Sequence, residues 1–305
     1  MRKWLVASKN LFLEAERRWN RFWFELDADR PWRVLRRLLC GLLFLFYLSR
    51  LPDLFFTYSE GGMFPRRVVA DLISSDVLKY RWSLLHLSSS NAWLIFLYLL
   101  LLATLAGLVA GIKVRWLAVL AWILQVSFLH RAMYTLYGFD KVMTVFLAYL
   151  ALSGGGQGPR WARSLGMRLM QVQILVIYTY SGLEKLKGVS WWKGEALWWV
   201  ISNPQQVSID LTWVARFPAL IALPTCLTVI WEIYFAPAMM NSQTRYGWLA
   251  IGVAFHLGIA VYLNIPFFGV AMIFSYVALL SDSVLDRISR LPPGKLQLVT
   301  HKILK

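Results

Sequence analysis

Residues 91–111 of this chain read NAWLIFLYLLLLATLAGLVAG, an apolar run that no charged residue interrupts. A helix needs about 20 such residues to cross the hydrocarbon layer of a bilayer. The run therefore predicts a membrane-spanning helix. Runs of similar character recur along the chain, and each of them predicts a further span.

Together these runs predict about eight spans, at 33–55, 91–111, 115–131, 138–153, 164–186, 216–238, 247–264 and 266–281. The predicted fold class is therefore all-α, a polytopic integral membrane helix bundle. The connection Asn264-Ile265-Pro266 is so short that the last two spans form either a close hairpin or one broken helix. The glycine-rich stretch 154–158 predicts a linker between the fourth and fifth spans.

The composition favours lipid as the solvent of most of the chain. Of the 305 residues, 58% are hydrophobic and 16% are charged, whereas soluble domains are about 45 to 50% apolar and about 25% charged. The net charge is +16, and the basic residues are scattered between apolar runs instead of lining one face. This distribution is typical of spans flanked by Lys and Arg and argues against nucleic-acid binding.

Most of the 32 Lys and Arg residues lie in segments on the same side of the membrane as the N-terminus, when the predicted spans are counted along the chain. The positive-inside rule then predicts that both termini are cytoplasmic and that the Lys185 end of the fifth span faces outside. We expect three regions: an amphipathic interfacial helix at 1–30, a transmembrane domain at 31–281 and a short basic cytoplasmic tail at 282–305. The lack of an Asn-x-Ser/Thr sequon favours a bacterial inner (plasma) membrane, with its lipids as partners.

Charged side chains inside the predicted spans are few, and a charge at membrane depth costs about 2.5 to 3.5 kcal/mol, which makes each one a functional candidate. These are Asp140, Glu184, Lys185, Glu232 and His256, with His130 at the edge of the third span. Ser181 and Lys185 share a helix face at i and i+4, whereas Glu184 points in another direction. Lys185 is then either an inward-pointing functional group or a lysine that snorkels to the headgroups.

Other polar and aromatic residues leave alternatives open. Glu232 and His256 either join two helices by a hydrogen bond or ion pair, or they handle protons. The four tryptophans from Trp191 to Trp199 share one face of a predicted interfacial helix, which is typical of an aromatic belt and also compatible with a substrate-stacking platform. Four histidines without HxxxH or HExxH spacing and two distant cysteines predict no metal site.

Several short motifs in a fixed order carry a family resemblance. They are YSEGGMFP at 58–65, GIKVR at 111–115, and the block from Tyr180 through SGLEKL at 181–186 to Trp192 and Gly194, followed by Glu232, His256 and FSY at 274–276. With these motifs the chain resembles the horizontally transferred transmembrane domain (HTTM) family, the family of the vitamin K-dependent gamma-glutamyl carboxylase. The match covers most of the chain.

The resemblance implies that Lys185 deprotonates a reduced naphthoquinone, a vitamin K-type hydroquinone, so that O2 can add and create a strong base. In the family that base removes a proton from a glutamate, to which CO2 then adds. Lysine is almost wholly protonated at neutral pH, so this role requires a dry site. The implied catalytic residues are Lys185, His256, Glu232 and His130, and the implied substrate-binding residues are Tyr180, Ser181, Trp192 and Asp140.

The chain departs from the carboxylase in two respects. Glu184 stands where the carboxylase has a second lysine, and we expect no counterpart of its large lumenal region after residue 281. A peptide or protein substrate would then need a partner chain as its docking surface.

Two other functions stay open. Some bacterial members of the family look like non-catalytic maturation factors for a secreted peptide or toxin, and these work with partner proteins. A small-molecule transporter is a further alternative, which Pro218 and Pro224 in the sixth span support only faintly.

Overall fold

The computed structural model describes residues 2–72 and 80–290 of the chain. Within those ranges every regular element is helical and no strand occurs, so the all-α prediction is confirmed for the described residues. The chain divides after Met170 into two compact units, called unit 1 and unit 2.

Unit 1 is built from α1 (Arg2–Phe24), α2 (Asp29–Ser49), α3 (Leu54–Tyr58), α4 (Arg66–Leu72), α5 (Asn91–Ala110), α6 (Val114–Arg131), α7 (Gly138–Leu152) and the start of α8 (Arg160–Leu186), with 3-10 turns at Leu84–His86 and Met133–Thr135. The helices α2, α5, α6 and α7 pack against one another. Their core contains fully buried side chains such as Leu35, Leu43, Leu101 and Leu105.

The end of α1 is fastened to the first turns of α8 within unit 1. Ser164 Oγ donates to the carbonyl of Trp23 (2.8 Å) and accepts from the amide of Leu26 (2.9 Å), and Arg168 Nε donates to the carbonyl of Phe22 (2.8 Å). These bonds satisfy carbonyl groups that the end of a helix leaves free. The helix that the hydrophobic spacing near the N-terminus predicts is present as α1.

The glycine-rich stretch between α7 and α8 is a tightly packed turn. Gly154, Gly155 and Gly156 have φ values of 66°, 72° and 78°, which glycine adopts far more easily than other residues. A Cβ on Gly155 would lie 2.6 Å from the carbonyl oxygen of Val114, and one on Gly156 would lie 2.6 Å from Cβ of Trp32. The linker has the predicted position, but its backbone is buried and fixed.

The YSEGGMFP motif forms an ion-paired corner between α3 and α4. Glu60 accepts hydrogen bonds from the backbone amide (3.1 Å) and Nε of Arg66, and Arg131 Nη2 lies 3.7 Å from its carboxylate. Arg131 also donates to the carbonyls of Ser59 (2.7 Å) and Phe64 (2.8 Å). Burial alone would raise the pKa of Glu60, but the Arg66 hydrogen bonds and both arginine charges hold it below its usual range.

Unit 2 contains the rest of α8, then α9 (Val189–Trp192), α10 (Ala196–Ile201), α11 (Ala219–Ile233), α12 (Phe235–Met240), α13 (Ser242–Tyr262), α14 (Pro266–Ser275) and α15 (Asp282–Arg290), with 3-10 turns at Thr212–Arg216 and Tyr276–Leu279. The helices α13 and α14 pack closely as a hairpin, one of the two expected arrangements. Asn264, with φ of 53°, forms the turn between them.

The structure corrects several predicted helix limits. The predicted sixth span, 216–238, is divided at Tyr234 between α11 and α12, and the predicted first span, 33–55, ends at Ser49. The single interfacial helix predicted through the tryptophans is wrong, because Gly194 (φ 71°) separates α9 from α10. A Cβ on Gly194 would lie 2.9 Å from Cβ of Ala222, so this backbone packs directly on α11.

Among the described residues, α5 is the one helix both long and apolar enough to cross a membrane, and the apolar segments Ala219–Ile233 and Pro266–Leu279 are shorter. The helix α5 is apolar on its exposed side as well, where the exposed fractions of Phe96 and Leu99 are 53% and 56%. The count of about eight spans stays a prediction.

Candidate functional site

Lys185 lies in the last turn of α8 and forms an ion pair with Glu232 of α11. Its Nζ donates a hydrogen bond to Glu232 Oε1 (3.0 Å) and lies 2.7 Å from Oε2. Lys185 Nζ also donates to Ser181 Oγ (2.6 Å), and the Ser181 hydroxyl donates to Glu232 Oε1 (3.2 Å). The exposed fractions are 18% for the Lys185 side chain and 6% for that of Glu232, so solvent screens the pair little.

The sequence of α8 explains how these groups meet. Tyr178, Ser181 and Lys185 stand at i, i+3 and i+7, which places them on one helix face. Gly182 lies against α11, and a Cβ there would be 2.8 Å from Ile233 Cγ1 and 3.1 Å from Glu232 Cβ. Glycine at this position therefore allows the close helix approach that brings Glu232 to Lys185.

Glu184 has the separate orientation that its spacing predicts. It is exposed and accepts a hydrogen bond from Lys187 Nζ (2.6 Å). The carboxylate that neutralises Lys185 therefore comes from Glu232 on another helix and not from the sequence neighbour.

An apolar cavity of about 260 Å³ adjoins this ion pair. Its lining residues are Leu186, Trp191, Trp192, Cys226, Val229, Ile230, Ile233 and Tyr234. The Lys185 ammonium lies 5.1 Å from the ring centroid of Trp191, a distance at which a cation–π contact forms. Trp191 therefore contacts both the ion pair and the cavity, while Trp192 Nε1 donates to the carbonyl of Leu186 (2.7 Å).

His256 belongs to a second buried cluster in unit 2. Its Nε2 lies 2.6 Å from the hydroxyl of Tyr178, which in turn lies 2.7 Å from the hydroxyl of Tyr276. Of the two alternatives for His256 and Glu232, a direct hydrogen bond or ion pair is not formed among the described residues, because His256 contacts Tyr178 and Glu232 pairs with Lys185. The Nδ1 atom of His256 has no hydrogen-bond partner in the described part of the chain.

Packing on all sides fixes this second cluster. The ring of Tyr178 meets Trp231 edge-on, with centroids 4.9 Å apart, and lies 4.2 Å from the ring of Phe235. A Cβ on Gly252 would overlap the hydroxyl of Tyr276 and lie 2.7 Å from Trp231. The cluster is thus a hydrogen-bonded core that orients the inner face of α8 one to two turns before Lys185.

The remaining predicted site residues have other surroundings. In unit 1, His130 Nδ1 lies 2.7 Å from the carbonyl oxygen of Trp82, and Asp140 Oδ2 accepts from the amide of Tyr137 (3.2 Å) and so caps α7. In unit 2, Tyr180 is exposed and is not among the residues that line the cavity. The predicted residues that come together are thus Lys185, Ser181 and Glu232, with Trp192 at the adjoining cavity.

Sequence reasoning missed Tyr178 and the cavity wall. Tyr178 carried a usable signal, because it shares the helical repeat of Ser181 and Lys185. The wall residues on α11, such as Cys226 and Val229, belong to an apolar run without a distinguishing pattern. Within the described ranges no three His, Cys, Asp or Glu residues are grouped so that they could hold a metal ion.

Comparisons with known proteins give one partial similarity. No family model matches the chain, and no solved structure matches it. The chain is similar to sporulation-delaying protein SdpB of Bacillus subtilis (strain 168), with 26% identity over 112 residues. This region is 35% of the chain and spans 35% of the length of SdpB.

Proposed function

We propose that this chain is an integral membrane protein of the HTTM type, with about eight helical segments in a bacterial inner membrane. Both termini are cytoplasmic in this proposal, and the Lys185 end of α8 faces outside. The apolar surface of unit 2 supports a membrane location. On α11, Leu220, Leu223 and Leu227 form an exposed stripe, with exposed fractions of 51%, 61% and 52%. Soluble monomers rarely expose continuous apolar surface of this kind.

The proposed role is that of a non-catalytic factor for the maturation of a secreted peptide or toxin, which works with partner proteins. The observation that carries this choice is the Lys185–Glu232 pair. Lys185 Nζ lies 2.7 Å from one Glu232 carboxylate oxygen and donates to the other and to Ser181 Oγ, so three oxygen atoms of the protein itself surround its nitrogen. Lys185 then holds α8 to α11. The similarity to SdpB is compatible with this role and covers 35% of each chain.

A second candidate is the quinol-dependent carboxylase-like enzyme that the HTTM resemblance implies. The cavity of about 260 Å³ favours it, because Trp191 joins an apolar space to the ammonium of Lys185. A lipophilic naphthoquinol is the kind of ligand that such a space accepts. In this candidate Lys185 must first pass its proton to Glu232, which leaves both groups neutral in a dry site.

Quinone chemistry provides the first test. Purified protein in lipid nanodiscs is incubated with a reduced naphthoquinone, oxygen and bicarbonate, and quinone epoxide is measured by mass spectrometry. The proposed role predicts no epoxide above the protein-free control from the wild type or Lys185→Met. Epoxide that forms with the wild type but not with Lys185→Met would contradict the maturation role and support the quinol-dependent enzyme.

Secreted peptides provide the second test. Peptides released by cells that lack the gene are compared by mass spectrometry with those from complemented cells. We expect at least one mature peptide to vanish on deletion and to return with the wild type and with the double variant Lys185→Met/Glu232→Leu, since the pair is structural. An unchanged set of peptides after deletion would contradict the maturation role.

A further inference from the structure

Unit 2 contains a second cavity, of about 540 Å³, where α9, α10 and the start of α11 meet. Its lining residues are Lys193, Gly194, Glu195, Trp198, Trp199, Ala215, Pro218, Ile221 and Ala222. None of them lines the cavity beside Lys185. The two spaces therefore differ in chemistry, because the first is apolar and the second combines apolar walls with two charged groups.

The two charges of this second cavity have opposite signs and stand on either side of Gly194. Lys193 and Glu195 are both exposed, and neither side chain has an ion-pair or hydrogen-bond partner in the described part of the chain. The positive φ of Gly194 and its contact with Ala222 fix the backbone between them. A fixed loop thus presents one free cation and one free anion to the same space.

A ligand that matches this space carries a phosphate, an ammonium group and an apolar portion. Lysine is a common phosphate-binding residue, and a carboxylate accepts the N–H groups of a primary ammonium. The indole rings of Trp198 and Trp199 add faces for a cation, while Pro218 and Ile221 supply an apolar wall. Tryptophan is also the residue most typical of the headgroup level of a membrane.

We propose that this cavity binds the headgroup of phosphatidylethanolamine, with the phosphate at Lys193 and the ammonium between Glu195 and the indole rings. The assignment rests on the membrane location proposed above. A lipid fits better than a free zwitterion because exposed apolar residues belong to the lining or stand next to it in sequence: Trp199 lines the cavity, and Phe217 and Leu220 precede the lining residues Pro218 and Ile221. The exposed fractions of Trp199, Phe217 and Leu220 are 64%, 53% and 51%, and a glycerol backbone with acyl chains would cover such a surface.

Lipid binding to the purified full-length chain in detergent tests this assignment. Native mass spectrometry compares phosphatidylethanolamine with phosphatidylglycerol and phosphatidylcholine. We expect phosphatidylethanolamine to bind the wild type about tenfold more tightly than either of the others, as one charge-assisted contact gives roughly that factor. Glu195→Gln should abolish the preference for phosphatidylethanolamine, and Lys193→Gln should weaken the binding of all three lipids. Glu184→Gln and Lys187→Gln are matched controls, and both should bind like the wild type.

Two outcomes overturn the assignment. Equal binding of the three lipids, or a preference that survives Glu195→Gln, would exclude the proposed headgroup contacts. Competition by soluble glycerophosphoethanolamine at the concentration of the lipid would show a site for a free zwitterion instead. Carbonate extraction of membranes tests the membrane location separately. Release of the chain by carbonate would contradict the proposed function itself. Retention of the chain in the membrane without a lipid preference would contradict only the lipid site.

Discussion

Replacing Glu232 by leucine should leave the Lys185 ammonium without the anion that neutralises it. The ammonium would keep its contacts with Ser181 Oγ (2.6 Å) and the ring of Trp191, but lose the carboxylate oxygens at 2.7 and 3.0 Å. Removal of one member of a buried ion pair costs about 3 to 5 kcal/mol. Lys185 retains an exposed fraction of 18%, so its ammonium reaches some solvent and we expect a loss of about 3 kcal/mol.

Removing both charges should restore most of this stability. In Lys185→Met/Glu232→Leu no desolvated charge remains, and methionine follows the path of the lysine stem. Apolar replacement of a whole buried pair is often neutral, so we expect the double variant within about 1 kcal/mol of the wild type. With about 3 kcal/mol lost in each single variant, the coupling free energy is then about 6 kcal/mol.

Unfolding of the purified variants in detergent micelles measures these differences, with helix content followed by circular dichroism. The exposed pair Glu184–Lys187 supplies a matched cycle on the same helix. Glu184→Leu, Lys187→Met and their double variant should unfold like the wild type because exposed pairs contribute little. Yield in the membrane fraction gives a second readout, which should fall for each single variant of the buried pair and recover in the double variant.

Two results would refute the reasoning. If Glu232→Leu and Lys185→Met unfold like the wild type, the pair does not hold α8 to α11. If the double variant loses as much stability as the two single variants lose together, the two charges act independently and the ion pair contributes nothing of its own. Either result would remove the physical basis for treating Lys185 as a structural cation.

Other predictions concern close packing and pH. Gly182→Ala should destabilise the protein by about 1 to 3 kcal/mol in thermal unfolding, because its Cβ would meet α11. Nothing lies within 4 Å of a Cβ on Gly247, so the control Gly247→Ala should be neutral or slightly stabilising. Equal effects of the two variants would contradict the close packing of Gly182 on α11. The lowered pKa of Glu60 means that its folded form binds protons less readily than the unfolded chain, so its stabilising contribution is present above about pH 4.5 and is lost as pH falls below that value. The unfolding midpoints of the wild type and Glu60→Gln should therefore differ at pH 6 and converge at pH 3. A difference of the same size at both pH values would refute the assignment.

The features that depend on one helix alone were predictable from the sequence. The shared face of Ser181 and Lys185 and the separate direction of Glu184 follow from the rotation of about 100° per residue. The pairing of Lys185 with Glu232 did not follow, because it depends on which helices approach each other. That approach depends on Gly182, whose role is visible only when the neighbouring helix is in place.

Helix ends were less predictable than helix positions. The apolar run through Tyr234 looks continuous in sequence, yet α11 ends at Ile233 and α12 starts at Phe235. At Gly194 the left-handed backbone overrides the regular spacing of the tryptophans, since packing against Ala222 leaves no room for a side chain. At Gly194 a tertiary contact therefore outweighs the hydrophobic pattern, whereas at Tyr234 the cause is local, because Pro237 has no N–H to donate to the carbonyl of Ile233.

The stretch SGLEKL at 181–186 does not by itself require carboxylase chemistry. A lysine base needs a dry site without a counter-charge, whereas this chain places the Glu232 carboxylate 2.7 Å from the ammonium of Lys185. The same residues then have a structural reason to occur, because they join α8 to α11. Ser181 contributes a hydrogen bond, Gly182 close packing and Lys185 an ion pair. Function depends on the site and not on the fold that carries it. The occupant of the cavity beside Trp191, and not the presence of the lysine, therefore distinguishes a peptide maturation factor from a quinol enzyme.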